Sequence, residues 1–176
     1  MKKKMGFIVA LLLAAVVTGQ AQIADNTGYV LSELAISPFQ KIVVNANIDV
    51  VLVQNDTLKK AYIEGDERWV PEISVTVSNA VLTITSRKQI SYRGKVQVTV
   101  SVKELAKLEI NADAGIVSFS PLHSPSIAVF INGYCDLHLK STGKILVQAG
   151  EGYEIRDRKN SGYKTKMETS AVSEGE

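Results

Sequence analysis

The chain has 176 residues, 20 basic and 18 acidic side chains, a formal net charge of +2 and one cysteine. That length suits one domain, the near-balanced charge argues against a nucleic-acid-binding face, and a lone cysteine excludes an internal disulfide framework. With 45% apolar residues the chain can bury a core, and little else in its composition points to a task.

The first 21 residues read as an export signal. Lys2, Lys3 and Lys4 precede an apolar run from Met5 to Val17, and Gly19-Gln20-Ala21 supplies the small residues a signal peptidase reads. Cleavage between Ala21 and Gln22 is expected, and the run is short for a membrane span. No cysteine follows it, which argues against a lipid anchor at the processed end. Removing three lysines from 20 basic residues leaves 17 against 18 acids, a net charge of −1 for the mature chain. The apparent basicity belongs to the signal, and no nucleic-acid partner is expected.

Residues 22–37 form a lead-in whose Tyr29-Val-Leu31 and Leu34 could cap one end of a core. Ser37-Pro38 punctuates its end. From Ile42 to Val53, β-branched residues alternate with others, which favours strand. Ala61-Tyr-Ile63 is a short strand closed by Glu64-Gly65-Asp66. Ile73 to Val77 and Val81 to Ile84 flank Ser78-Asn79-Ala80 as a hairpin. Between Lys95 and Val102, Val96, Val98, Val100 and Val102 fall on one face. No stretch after the signal sustains helical periodicity, so the class is all-β.

One phrase recurs four times: Ile42-Val-Val-Asn45-Ala46, Leu108-Glu-Ile-Asn111-Ala112, Val129-Phe-Ile-Asn132-Gly133 and Ile145-Leu-Val-Gln148-Ala149. Each copy runs on to Asp49, Gly115, Asp136 or Gly152. Another alternating piece then starts at Val50, Ile116, Leu137 or Tyr153. Self-similarity of this kind marks stacked structural units. A β-solenoid, with one copy per rung, and a β-sandwich of hairpins both fit the spacing. The amide column Asn45, Asn111, Asn132 and Gln148 could hydrogen-bond as a ladder, beside a column of small residues suited to a tight corner. These columns favour the solenoid. Residues 156–176 are polar and are expected to stay disordered.

The span from Pro38-Phe39 to about Tyr153 resembles the head GIN domain family of putative autotransporter adhesins, common among exported Bacteroidetes proteins. Phe39-Gln-Lys-Ile-Val-Val44 and Ile48-Asp-Val-Val-Leu52 look like its first strands. Ala61-Tyr-Ile-Glu-Gly-Asp66, Val77-Ser-Asn-Ala-Val-Leu-Thr-Ile84 and Lys107-Leu-Glu-Ile110 are similar to its later elements. The resemblance implies a single-stranded right-handed β-helix with an irregular β-rich opening section, over residues 38–155. It carries over no catalytic residues. The Gly-Ser-Gly corners of later family rungs are absent from this chain.

The residues themselves offer little chemistry. A calcium site would need six to eight oxygen ligands. Asp49 and Asp136 are equivalent in the repeat, yet Gly115 stands between them and Asp113 lies in another column. His138 alternates with Leu137 and Leu139 and should face solvent. His123 has Ser118, Ser120 and Ser124 nearby but no nucleophile elbow. Cys135 occupies the place of Ile48 and Ala114, which suits a small packed side chain better than a reactive thiol. Trp69, Tyr62 and Tyr92 could form an aromatic contact patch or cover the open end of the core.

No catalytic, cofactor-binding or metal-binding residues are assigned and no cofactor is expected. The expectation is an exported, non-enzymatic cell-envelope or surface module, in the periplasm, at the outer-membrane surface or secreted. It would bind a protein or glycan in the manner of an adhesin and would not span the membrane once its signal is cleaved. The alternatives are a small carbohydrate-active β-helix enzyme and a structural protein that self-associates through open strand edges.

Overall fold

The computed structural model describes residues 23–25, 28–91 and 95–149. The segment expected to be an export signal (1–21) and the polar tail (156–176) lie outside the described residues. The strands are β1 (Ile23–Asp25), β2 (Tyr29–Ala35), β3 (Lys41–Asn45), β4 (Asp49–Gln54), β5 (Lys60–Asp66), β6 (Ile73–Ser78) and β7 (Val81–Ser86). They continue as β8 (Val96–Val102), β9 (Lys107–Ile110), β10 (Ala114–Ser118), β11 (Ser126–Ile131), β12 (Cys135–His138) and β13 (Lys144–Ala149). The architecture is all-β. One sheet runs β1-β2-β5-β8-β4-β10-β12 and the other β13-β11-β9-β3-β7-β6. We call them sheet I and sheet II; both mix parallel and antiparallel pairs.

The repeated phrase forms a structural repeat. Ile42 pairs with Leu108 in sheet II and Asp49 with Gly115 in sheet I, the same 66-residue offset in both sheets. Leu108 pairs with Val129 and Ala114 with Cys135, again at one shared offset of 21. Each passage of the chain therefore lends one parallel strand to each sheet. Inward residues fall over inward residues because the side-chain period of a strand is two. Ile42, Leu108 and Val129 are fully buried, as are Val44 and Ile110. Ile110 and Ile131 are register partners on neighbouring strands, and β13 with Val147 lies beside them.

Two features depart from the sequence reading. In the fourth copy Val147 pairs with Val129, and Gln148 pairs with Phe130 instead of extending the Asn132 column. The copy is displaced by two residues, which keeps Ile145 and Val147 facing inward and therefore leaves the hydrophobic pattern unchanged. A further passage also went unread. β7 and β8 pair in parallel with β3 and β4, placing Leu82 against Ile42 and Val98 against Val50. Thr85 takes the amide position there, and a long connection separates the two strands, so the period is hidden.

The opening section closes the stack with antiparallel strands. β5 pairs with β8, β2 with β5 and β1 with β2. The lead-in thus extends sheet I edgewise, with Val30 and Leu34 packed against the core. Val96, Val98, Val100 and Val102 are all buried, as their alternation requires. Trp69 precedes a short 3-10 turn, Val70–Glu72, with Pro71 in its first turn, and its ring packs on the core edge.

The β6–β7 hairpin turns at Asn79 and Ala80, both at positive φ (50° and 58°). Two positive-φ residues match the strand twist, but alanine holds that conformation at a cost. The Ala80 carbonyl also accepts the Gln40 and Lys41 amides at 3.0 and 3.2 Å, which fixes the turn against β3. Ala80→Gly is expected to stabilise the chain by about 0.5–1 kcal/mol in denaturant titration. A loss of stability would show that the turn is not strained.

Candidate interaction surfaces

The outward residues form rows across each sheet. In sheet II the Asn111 side-chain amide donates to Asn45 Oδ1 at 2.8 Å, and the Asn132 amide donates to Asn111 Oδ1 at 2.8 Å. Thr85 and then Ser74 stand next to Asn45 in the same row. The ladder forms because each asparagine closes a strand at the same corner, one strand spacing from the next. The corner's second position is small for a steric reason. A Cβ on Gly133 would meet the Ala112 backbone, with its nitrogen at 2.6 Å.

In the neighbouring row Glu109 accepts Lys41 Nζ at 2.8 Å, with Lys107 Nζ at 3.6 Å. The Lys107 ammonium sits 4.2 Å from the centre of the Phe130 ring. The hydrogen bond from Lys41 is the main cause holding the Glu109 carboxyl below its usual range. A carboxyl lowered in the folded state contributes stability that is complete above its unfolded pKa and is lost as pH falls through the folded value. Stability should therefore drop below about pH 4.3. Glu109→Gln should flatten part of that acid limb, by about 1 kcal/mol or less for a pair in contact with solvent. An unchanged acid limb in pH-dependent denaturation would remove Glu109 from that role.

The outer face of sheet I is more apolar. Val117 pairs with Val51, and the Phe119 amide donates to the Leu52 carbonyl at 2.9 Å, which carries Phe119 to the level of Val53. Phe119 is 77% exposed and Val117 41%. Tyr62 lies on the same outer face, pairing with Thr99, while Ala61 and Ile63 on either side of it are buried. The sequence reading followed the inward valines and overlooked this patch. Its signal was present, since Val51 and Val53 are apolar where alternation calls for polar residues.

Asp49 and Asp136 flank Gly115 in one row of the same face, as the repeat requires. His138 is exposed and lies 3.1 Å from Asp136. Asp113 occupies the corner, where its backbone amide donates to Asn47 Oδ1 at 3.1 Å, away from that row. Among the described residues no three His, Cys, Asp or Glu side chains converge as metal ligands would. His123 is exposed, and its amide donates to Gln54 Oε1. Ser118 and Ser124 are buried instead, their hydroxyls accepting the Lys140 and Leu105 amides at 2.7 and 2.9 Å. Cys135 is half-buried beside Ala114. Tyr92 lies outside the described residues. No helix among the described residues is long and apolar enough to cross a membrane.

A solved structure shares this fold. A putative adhesin from Bacteroides fragilis aligns with a TM-score of 0.53 at 17% identity, covering 70% of this chain and 59% of that one. One from Parabacteroides merdae gives 0.49 at 19% identity, covering 70% and 58%. The chain thus spans under two thirds of the length of these structures. No curated protein matches it. One family profile, described as putative auto-transporter adhesin, head GIN domain, matches residues 38–176. With that match over most of its length, the chain belongs to the head GIN domain family of putative auto-transporter adhesins.

Proposed function

We propose that this protein is an exported, non-enzymatic interaction module whose stacked strands present a flat face to a protein or glycan at the cell envelope. Residues 1–21 serve as its signal, residues 22–37 as its lead-in and residues 38–155 as its folded body. The in-register passages support a short right-handed β-solenoid, built on successive parallel pairs with an antiparallel opening section. The observation that carries the functional reading is the outer face of sheet I. There Val51, Val53, Val117 and Phe119 crowd together, the last two well exposed. Exposed apolar clusters of this kind mark contact surfaces, and an aromatic near the centre supplies the largest share of contact energy. Family membership agrees with an adhesive role.

The test is cross-linking in intact cells together with a glycan array, comparing the natural chain with a Val117→Ser, Phe119→Ser double variant. The natural chain should retain a discrete partner that the variant loses, with the thermal midpoint little changed. Equal retention by the two proteins would refute the sheet I face as the binding surface.

A further inference from the structure

The two sheets end unevenly on the side of the antiparallel opening section. Beyond β8 and β7 the next strands are β5 in sheet I and β6 in sheet II, joined by the short 3-10 turn. Sheet I then continues through β2 and β1, whereas sheet II stops at β6. The inward side chains record the mismatch. Leu82 and Ile84 on β7 are fully buried, but their register partners Val77 and Val75 on β6 are only half-buried. Ala61 on β5 is fully buried, yet its partner Leu34 on β2 is half-buried, as is Val30.

The backbone of β6 is open along its outer side. The Ala80 carbonyl accepts the Lys41 amide at 3.2 Å, so Leu82 and Ile84, in phase with Ala80, address β3, while Val81, Thr83 and Thr85 address β6. Their partners Ser78, Thr76 and Ser74 therefore bond to β7, and the amides and carbonyls of Val75 and Val77 aim outward. Among the described residues no strand pairs with that side of β6. The Ile73 amide, by contrast, donates to the Val70 carbonyl of the 3-10 turn. β6 also lacks the devices that blunt an edge: it has no charged residue, no proline and no bulge in its register with β7.

We propose that β6 receives an extended segment of a partner protein as a further strand of sheet II, with uncharged apolar side chains at alternate positions. Strand addition supplies main-chain hydrogen bonds to Val75 and Val77, and the alternate side chains supply specificity. The added strand lies opposite β2, where its inward residues cover Val30 and Leu34 and a charge would lose its hydration. Its outward residues stand beside the hydroxyls of Ser74, Thr76 and Ser78.

A second copy of this chain fits the place poorly. β2 and β1 carry sheet I two strands, about 9.6 Å, past β6. A copy joined β6 to β6 about a two-fold axis would bring its own β2 into the same space. The edge is about 20 Å long and one strand wide, or about 200 Å², against the ~800 Å² that each partner of a stable protein pair buries. A single flexible segment meets neither obstacle. It binds separately from the partner proposed for the sheet I face.

The probe is a short peptide that alternates threonine with valine between terminal lysines; its counterpart carries prolines at its centre, which cannot donate to a ladder. In the free natural chain the Val75 and Val77 amides should exchange with solvent at least about tenfold faster than that of Thr76. Saturating peptide should slow both by at least about tenfold. The proline counterpart should bind at least about tenfold more weakly. Val77→Pro removes an outward amide, leaves the bonds to β7 in place and should weaken peptide binding by about the same factor. The exchange measurement uses the natural chain and decides the matter should Val77→Pro fail to fold. Amides of Val75 and Val77 as slow as Thr76 in the free chain would show the edge already filled by this chain or a second copy. That result, no detectable binding of the alternating peptide, equal binding of the two peptides, or slowing confined to residues outside β6 would each overturn the proposal.

Discussion

Gly65→Ala is expected to lower stability by roughly 3–5 kcal/mol, the sum of two independent penalties. Gly65 lies on β5 at φ +147°, a region that side-chain-bearing residues rarely adopt. A Cβ there would also drive into the Lys95 carbonyl, with Val96 Cα at 3.0 Å. Both obstacles are backbone atoms at the paired strand β8, so no side-chain rotation relieves them. β5 and β8 are central neighbours in sheet I and join the antiparallel opening section to the parallel passages. The strain is therefore transmitted to the junction of the fold. A domain of this size holds about 5–15 kcal/mol in total. The thermal midpoint should fall by on the order of 10 °C or more. A shift of ~2 °C or less would show that β5 and β8 do not approach in this way.

Leu108→Ala should cost about 2–5 kcal/mol, because the removed atoms leave a cavity between layers that cannot collapse onto it. Leu108 is 0% exposed and lies between Ile42 and Val129, both also fully buried. Strands on either side hold those neighbours at fixed spacing, which limits relaxation. Leu146→Ala on the outer face of the same sheet, where the residue is 38% exposed, should stay within about 1 kcal/mol. Denaturant titrations of the two variants test the inward column directly. Equal losses would mean that Leu108 does not occupy the packed layer.

The apolar alternation determined much of this protein before any coordinates were considered. A strand has a period of two, so Ile42, Val44, Leu108, Ile110, Val129 and Ile131 had to share one face. Their repetition favoured parallel passages in register, although a sandwich of hairpins fitted the same spacing. The asparagine at each corner was legible for the same reason, and Asn45, Asn111 and Asn132 do form a ladder. Two things were decided only in three dimensions. A two-residue displacement leaves an alternating pattern unchanged, so the sequence could not say whether Gln148 stood beside Asn132 or Phe130; the pairing of β13 with β11 chose Phe130. Nor could a linear reading reveal that β7 and β8 join the stack on the far side of β3 and β4. That placement depends on strands distant along the chain finding one another across a long connection, which no local preference encodes.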